Sequence, residues 1–285
     1  MKQKLPNVAF SLLCPILVCL LGVLGCAEEV EDAGKNPPLP VSGEIRIASL
    51  SPAMTTMIID LGLKESLVGR TPYCRDVDPS LPVVGALDGI DAEILVGCNP
   101  NVLFVQPSIG GIDPALRTLA EEQQWVLVSQ HLNTLDDVRS ALVSISASID
   151  DASVRKRSET IQSRINAMMN PEVAEDAPRV AMVYSLDPCG VVGRGTYLDE
   201  VLSAAGGRNA LPLTGWLELS LEDLLRRDPD LVIVLGSSGV ERLKSLPWDP
   251  RTQVVAFDSP SALEPSTRAP IVMQQLADII EEHSP

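Results

Sequence analysis

Residues able to do chemistry are few in this chain and widely spaced. Histidine occurs twice in 285 residues, at His131 and His283, whereas first-row metal sites usually draw on several imidazoles or on cysteines paired at short spacing. A Gly-X-Ser-X-Gly nucleophile elbow is absent. The glycine-rich segment Asp187–Gly195 has no phosphate-loop lysine. Hydrolysis is therefore not expected, and the chain reads as a non-enzyme with no resident cofactor or metal. What remains suits recognition. Glu93 and Glu222 each fall in the first turn of a predicted helix, where the macrodipole favours a carboxylate by roughly 0.3–1 kcal/mol. Tyr73 and Trp216 stand out because aromatic residues make up only 3% of the chain. They suit either core packing or the face of a large flat ligand. Trp125 abuts a strand and reads as core. Ser51-Pro52 and the 187–195 segment each precede a helix, so backbone N–H groups there suit polar or anionic ligand groups. Asp258, in Asp258-Ser259-Pro260, follows a strand and is placed to reach a ligand. Cys74 and Cys189 occupy corresponding predicted loops, either as unpaired thiols or as a pair facing each other or a chelated metal. Cys98 sits in an apolar helical pattern and reads as core.

These residues need elements to position them. Strands are predicted at 45–50, 67–69, 83–85, 102–105 and 125–129, with helices from Pro52 to about Leu61, after Asp91, and over 114–124. Such alternation implies a mainly parallel sheet. The scheme recurs later, with strands at 179–185, 231–235 and 254–257, a loop at 187–195, and helices at 196–205, after Ser220 and over 269–282. Between the two runs the apolar spacing is purely helical. Leu135, Val138, Leu142, Ile145 and Ile149 share one helix face. Asp150–Ser153 interrupts them with good N-cap residues, and Val154, Ile161, Ile165 and Met168 resume in a new phase. Two helices are expected, roughly 135–149 and 152–169, the second about 27 Å long and ended by Asn170-Pro171. Duplication is visible directly: 93–105 reads EILVGCNPNVLFV and 222–234 reads EDLLRRDPDLVIV, at a constant offset that the preceding Asp91 and Ser220 also keep. The expected fold is α/β, with two Rossmann-like lobes of mainly parallel sheet, each with its own core, joined by one long backbone helix.

The N-terminus reads as an export signal. Lys2 and Lys4 precede the apolar run 8–24, which ends at Gly25-Cys26. The run is shorter than the ~20 residues of a comfortable membrane span. Six cysteines are present. Removal of the leader with acylation of Cys26 leaves Cys74, Cys98 and Cys189, an odd set that forms no disulfide scaffold. Residues 27–43, acidic and then proline-rich, suit an extended tether. The division expected is leader 1–26, tether 27–43, N-terminal lobe 44–150, backbone helix 151–170 and C-terminal lobe 171–285. A net charge of −16 argues against nucleic acid, whose phosphates need clustered Lys and Arg.

Several of these segments resemble one family, the substrate-binding proteins of bacterial importers for vitamin B12, iron–siderophores and haem. Arg46–Ala53 is similar to its opening strand and Ser-Pro turn, Leu61–Leu63 and Leu67–Arg70 to its next segment, Tyr73-Cys74 to its Tyr-Cys loop, and Ala204–Asn209 to its second-lobe helix end. The likeness is greatest to the vitamin B12 binders and covers about residues 44–283. It implies a class III periplasmic binding protein-like fold that holds a metal chelate in the cleft, a cobalamin-type corrinoid first and a siderophore or haem second. It implies docking of Glu93 and Glu222 on paired arginines of a permease, with an ATPase beside it, and ligand contact by an aromatic at Trp216. The matching first-lobe position is Leu87, a departure from the B12 binders. Val23-Leu24-Gly25-Cys26 resembles a lipoprotein signal, with Cys26 lipidated and the protein exported, membrane-anchored and monomeric. The other class of function open to the sequence is a lipoprotein sensor or scaffold that keeps the fold without transport.

Overall fold

The computed structural model describes Val41 and residues 43–86, 89–108 and 110–283. The export leader, the lipidation site Cys26, most of the tether and Leu87 lie outside the described residues. The first lobe contains β1 (Ile47–Ser49), α1 (Pro52–Asp60), β2 (Leu67–Gly69), the short pair β3 (Gly85–Ala86) and β4 (Gly89–Ile90), α2 (Ala92–Cys98), β5 (Val102–Val105), α3 (Pro114–Glu122), β6 (Val126–Ser129) and α4 (Leu135–Ala147). Its main sheet runs β2-β1-β5-β6, and every pairing is parallel. The helix α5 (Ala152–Asn166) follows. The second lobe contains β7 (Arg179–Leu186), β8 (Cys189–Val192), α6 (Tyr197–Ala204), β9 (Arg208–Asn209), β10 (Trp216–Leu219), α7 (Leu221–Leu225), β11 (Leu231–Leu235), α8 (Val240–Lys244), β12 (Gln253–Phe257) and α9 (Ala269–His283). Its sheet runs β10-β8-β7-β11-β12, with β9 also paired to β7. The chain thus forms two α/β lobes with helical connections, the first built on an all-parallel sheet and the second on a sheet that is parallel over β9, β7, β11 and β12 and antiparallel at β8 and β10.

Local sequence explains most of these elements. Ser51, Asp91, Asp113, Thr134, Asp151, Thr196 and Ser220 are all N-caps whose side chains accept from backbone N–H groups of the first turn, satisfying donors a helix leaves free. β5 and residues 231–234 of β11 are buried throughout. That is why their sequences are continuous apolar runs instead of alternating ones. The segment 187–195, expected as a loop, differs: residues 189–192 form β8, an antiparallel hairpin partner of β7. Cys-Gly-Val-Val is apolar and partly β-branched, and all four residues are buried. Pro188 before it, Gly190 within it and Gly193 after it hide this short strand in the sequence.

The lobes do not keep separate cores as expected. One apolar cluster runs from Ile47, Met54 and Phe104 of the first lobe through Leu142, Ile145 and Ile165 to Met182, Tyr197 and Leu276 of the second. Smaller clusters lie on the outer face of each sheet. Backbone groups reinforce the junction. The Leu135 N–H donates to Glu200 Oε2 at 2.6 Å, and the Tyr197 N–H donates to the Asn133 carbonyl at 2.6 Å. Each of these helices therefore has its first free donor satisfied by the other lobe. The strut α5 is about 22 Å long at 1.5 Å per residue. It contacts the first lobe through Ser158 Oγ, which donates to the Leu142 carbonyl at 3.1 Å, and Arg157, which donates to the Leu61 carbonyl at 2.8 Å.

Candidate ligand-binding site

In open parallel α/β sheets ligands bind beyond the carboxyl ends of the strands. Each lobe has a cavity there. In the first lobe a cavity of ≈ 380 Å³ is lined by Leu50, Val105, Gln106, Ser108 and Asp113, at the ends of β1 and β5. In the second a cavity of ≈ 370 Å³ is lined by Val183, Tyr184, Ser185, Val234 and Gly236, at the ends of β7 and β11. The carboxyl-edge loops of the two lobes touch. Arg75, beyond β2, donates to the Pro260 carbonyl and pairs with Glu264 at 2.6 Å, both beyond β12. Burial pushes the Glu264 carboxyl above its ordinary value, with the charge of Arg75 opposing the shift. Farther along the same seam Arg268 holds Asp60 through two hydrogen bonds of 3.1 and 3.2 Å.

The expected contact residues divide into two groups. Tyr73 is 69% exposed on the loop beyond β2. Trp216 is 46% exposed at the start of β10 and meets Tyr184 edge-on, with ring centroids 5.3 Å apart and planes at 81°. Tyr184 also lines the second-lobe cavity, so Trp216 sits against that cavity's aromatic wall. Asp258 is exposed directly beyond β12. Pro52 is half-buried at the first position of α1. Three others face inward. Ser51 is buried as the α1 cap, and its hydroxyl donates to Gln106 Oε1 at 3.1 Å. It therefore orients a cavity-lining side chain. Cys74 is buried with its sulfur 3.0 Å from Thr55 Oγ1 and 3.2 Å from Thr71 Oγ1. Cys189 is buried in the outer cluster of the second lobe, and burial pushes its thiol up. Both are free cysteines, so of the two readings open to Cys74 and Cys189 the structure has the unpaired thiols, each buried within its own lobe. Trp125 and Cys98 are buried, as expected of core residues.

Glu93 and Glu222 sit at the same edge as the cavities, and the topology requires it. Arg46, just before β1, donates to the Asn99 and Cys98 carbonyls at the end of α2. Arg179, at the start of β7, donates to the Asp228 and Arg227 carbonyls at the end of α7. The C-termini of α2 and α7 therefore lie at the amino edges of the sheets, and their first turns, carrying Glu93 and Glu222, lie at the carboxyl edges. Both glutamates are exposed. Glu222 pairs with Arg226 at 2.6 Å, a surface contact of little energetic weight.

Tyr184, Gln106 and the Arg75–Glu264 pair escaped the sequence reading. Tyr184 and Gln106 were findable, since each stands at the carboxyl end of a predicted strand. Arg75 and Glu264 carry no sequence signal of their proximity. Among the described residues no group of His, Cys, Asp or Glu is placed to hold a metal ion, and no helix is long and apolar enough to cross a membrane.

A model of the family described as "Periplasmic binding protein" matches residues 47–252. The chain belongs to the periplasmic binding protein family. Within that family, the vitamin B12-binding protein of Photorhabdus laumondii is 25% identical over 213 residues, covering 73% of this chain and 76% of the relative. Among solved structures, the apo periplasmic heme-binding protein RhuT of Roseiflexus sp. RS-1 superposes with a TM-score of 0.69 at 22% identity, over 85% of this chain and all of its own (100%). The periplasmic vitamin B12-binding protein BtuF of Vibrio cholerae superposes with a TM-score of 0.65 at 18% identity, over 84% of this chain and 97% of its own. These likenesses establish the shared fold.

Proposed function

We propose that this protein is the substrate-binding component of an importer, capturing a metal chelate between its lobes and presenting it to a permease and ATPase. The observation that carries this reading is the matched pair of carboxyl-edge cavities, one walled by Tyr184 with Trp216 against it, together with Tyr73 exposed on the loop beyond β2, in a periplasmic binding protein. Aromatic faces of this size suit a planar or bulky chelate. An iron chelate, haem or a siderophore, is the first assignment. Several of the superposing structures are heme-binding proteins by name, and the exposed Tyr73 phenol can supply an oxygen donor to ferric iron. Cobalamin is the second, supported by curated relatives named for vitamin B12. Asp258 and Pro52 complete the contact set, with Ser51 acting through Gln106. Glu93 and Glu222, exposed on the same edge, serve as the permease-docking carboxylates. Lipidation at Cys26 would hold the protein at a membrane facing the periplasm or exterior.

Calorimetry of residues 27–285 against haemin, ferric siderophores, cobalamin and cobinamide tests the assignment. Saturable binding of haemin or a ferric siderophore at least tenfold tighter than of cobalamin is expected. The reverse order would favour the corrinoid, and no heat with any of them would favour a sensor or scaffold.

A further inference from the structure

We propose a second binding site, remote from the carboxyl-edge cavities, for an amphiphile with an anionic head and an apolar chain. A cavity of ≈ 650 Å³ lies between α5, the C-terminal end of α1 and the start of α9. None of its lining residues lines either carboxyl-edge cavity. Four cations border it, Lys156, Arg157, Arg164 and Arg268, against one carboxylate, Asp60. This local excess is notable in a chain of net charge −16. Arg268 is held by Asp60 and Arg157 by the Leu61 carbonyl. Lys156 and Arg164 form no side-chain ion pair or hydrogen bond among the described residues, so their charge is available to a ligand.

The remaining wall is apolar. Ile161 comes from the same face of α5, one turn from both Arg157 and Arg164. Pro270 and Ile271 come from the first turn of α9, and Ile271 is 53% exposed. Cationic rim and apolar wall together match a carboxylate or phosphate head with an acyl chain, and the volume lies within the usual range for small-molecule sites, about 300–1,000 Å³. Either a free single-chain amphiphile or a lipid in a bilayer supplies that chemistry. The chain also joins the folded body close by. The Val41 N–H donates to the Ser148 carbonyl and the Asp150 N–H to the Val41 carbonyl, just before the Ser153 that lines the cavity.

Dodecyl phosphate below its micellar concentration, dodecanol as the uncharged control, and phosphatidylglycerol and phosphatidylcholine vesicles separate the sources. The native protein is expected to bind dodecyl phosphate but not dodecanol, or to sediment with phosphatidylglycerol but not phosphatidylcholine vesicles. The first result identifies a free amphiphile as a sufficient ligand and the second a bilayer lipid. K156E/R164E should weaken the observed binding at least tenfold and I271D about as much, while K156R preserves it and haemin or cobalamin binding is unchanged. Both charge-reversed residues are exposed, so unchanged melting checks the fold. Equal binding of the charged and uncharged probes, binding indifferent to K156E/R164E, or no binding to any probe would overturn the proposal.

Discussion

At the scale of single residues, Glu200 shows how a site between lobes tunes its own charge. Its carboxylate accepts from the first free N–H of α4, an arrangement that favours the ionised form. Burial outweighs that donor and raises the pKa above the ordinary glutamate value, and the nearby charges of Asp199, Asp137 and Asp136 push it further. The sign of the consequence follows from proton linkage. Between the ordinary and the raised value the folded chain binds more protons than the unfolded chain, so the contribution of Glu200 to stability rises as pH falls through that window. Above the window the ionised group is a net cost. E200Q keeps an oxygen acceptor for Leu135 and removes the charge. It is expected to melt above the native protein at pH 7.5, by about 2 °C, with the difference shrinking towards zero near pH 4. A difference that stays constant across this range, measured by calorimetric melting, would show that burial of the charge is not the controlling effect.

At the scale of elements, the hairpin β7–β8 governs the aromatic wall of the second-lobe cavity. A Cβ on Gly190 would lie 2.4 Å from the Tyr184 ring, far inside contact distance, so only glycine lets that ring rest over β8 where it meets Trp216. G190A is expected to displace Tyr184, shift the tryptophan near-ultraviolet circular dichroism and weaken haemin binding about fivefold, while melting falls by no more than a few degrees. Unaltered tryptophan spectra would show that the ring has room to move. This hairpin was also the least legible part of the chain, because Cys189–Val192 is four residues bracketed by Pro188 and Gly193. β9, β10 and α8 were missed for a similar reason: each is too short to show a period. The duplicated unit was fully legible. Asn99 and Asp228, equivalent in the two copies, both take left-handed backbone, with φ of 46° and 49°, and each is followed by proline. Asn101 and Asp230, equally matched, accept from the backbone N–H of Arg46 and Arg179. Repeated caps and turns write themselves into sequence, whereas the exposure of Tyr73 and Trp216 depends on loop paths that local pattern does not encode.

At the scale of the whole molecule, the shared core sets how the lobes move and how they unfold. Buried side chains of both lobes and of α5 belong to one cluster, and interiors of this kind resist deformation. Hinge closure by tens of degrees would open that cluster to water. Small-angle scattering should therefore change little on saturation with ligand, and melting should follow a single transition by both fluorescence and calorimetry. Two resolved transitions, or a contraction of several per cent in radius of gyration, would show that the lobes are mechanically independent. The two sheets were legible from the sequence, but their joint core was not. Apolar spacing identifies a buried face without identifying its partner, so the helix face that carries Leu142 was legible while the core it shares with Tyr197 was not.

Val41 has one more consequence, for orientation. It is stitched to residues 148–150, just past the C-terminal end of α4. Because α4 starts beyond the carboxyl end of β6 and runs back alongside it, this junction lies towards the amino edge of the first-lobe sheet, away from the carboxyl-edge loop that carries Tyr73. Tension in the preceding chain would be borne by the spine of the molecule. The mouth would stay free to swing outward, as it must if cargo is taken up and handed on through the same opening.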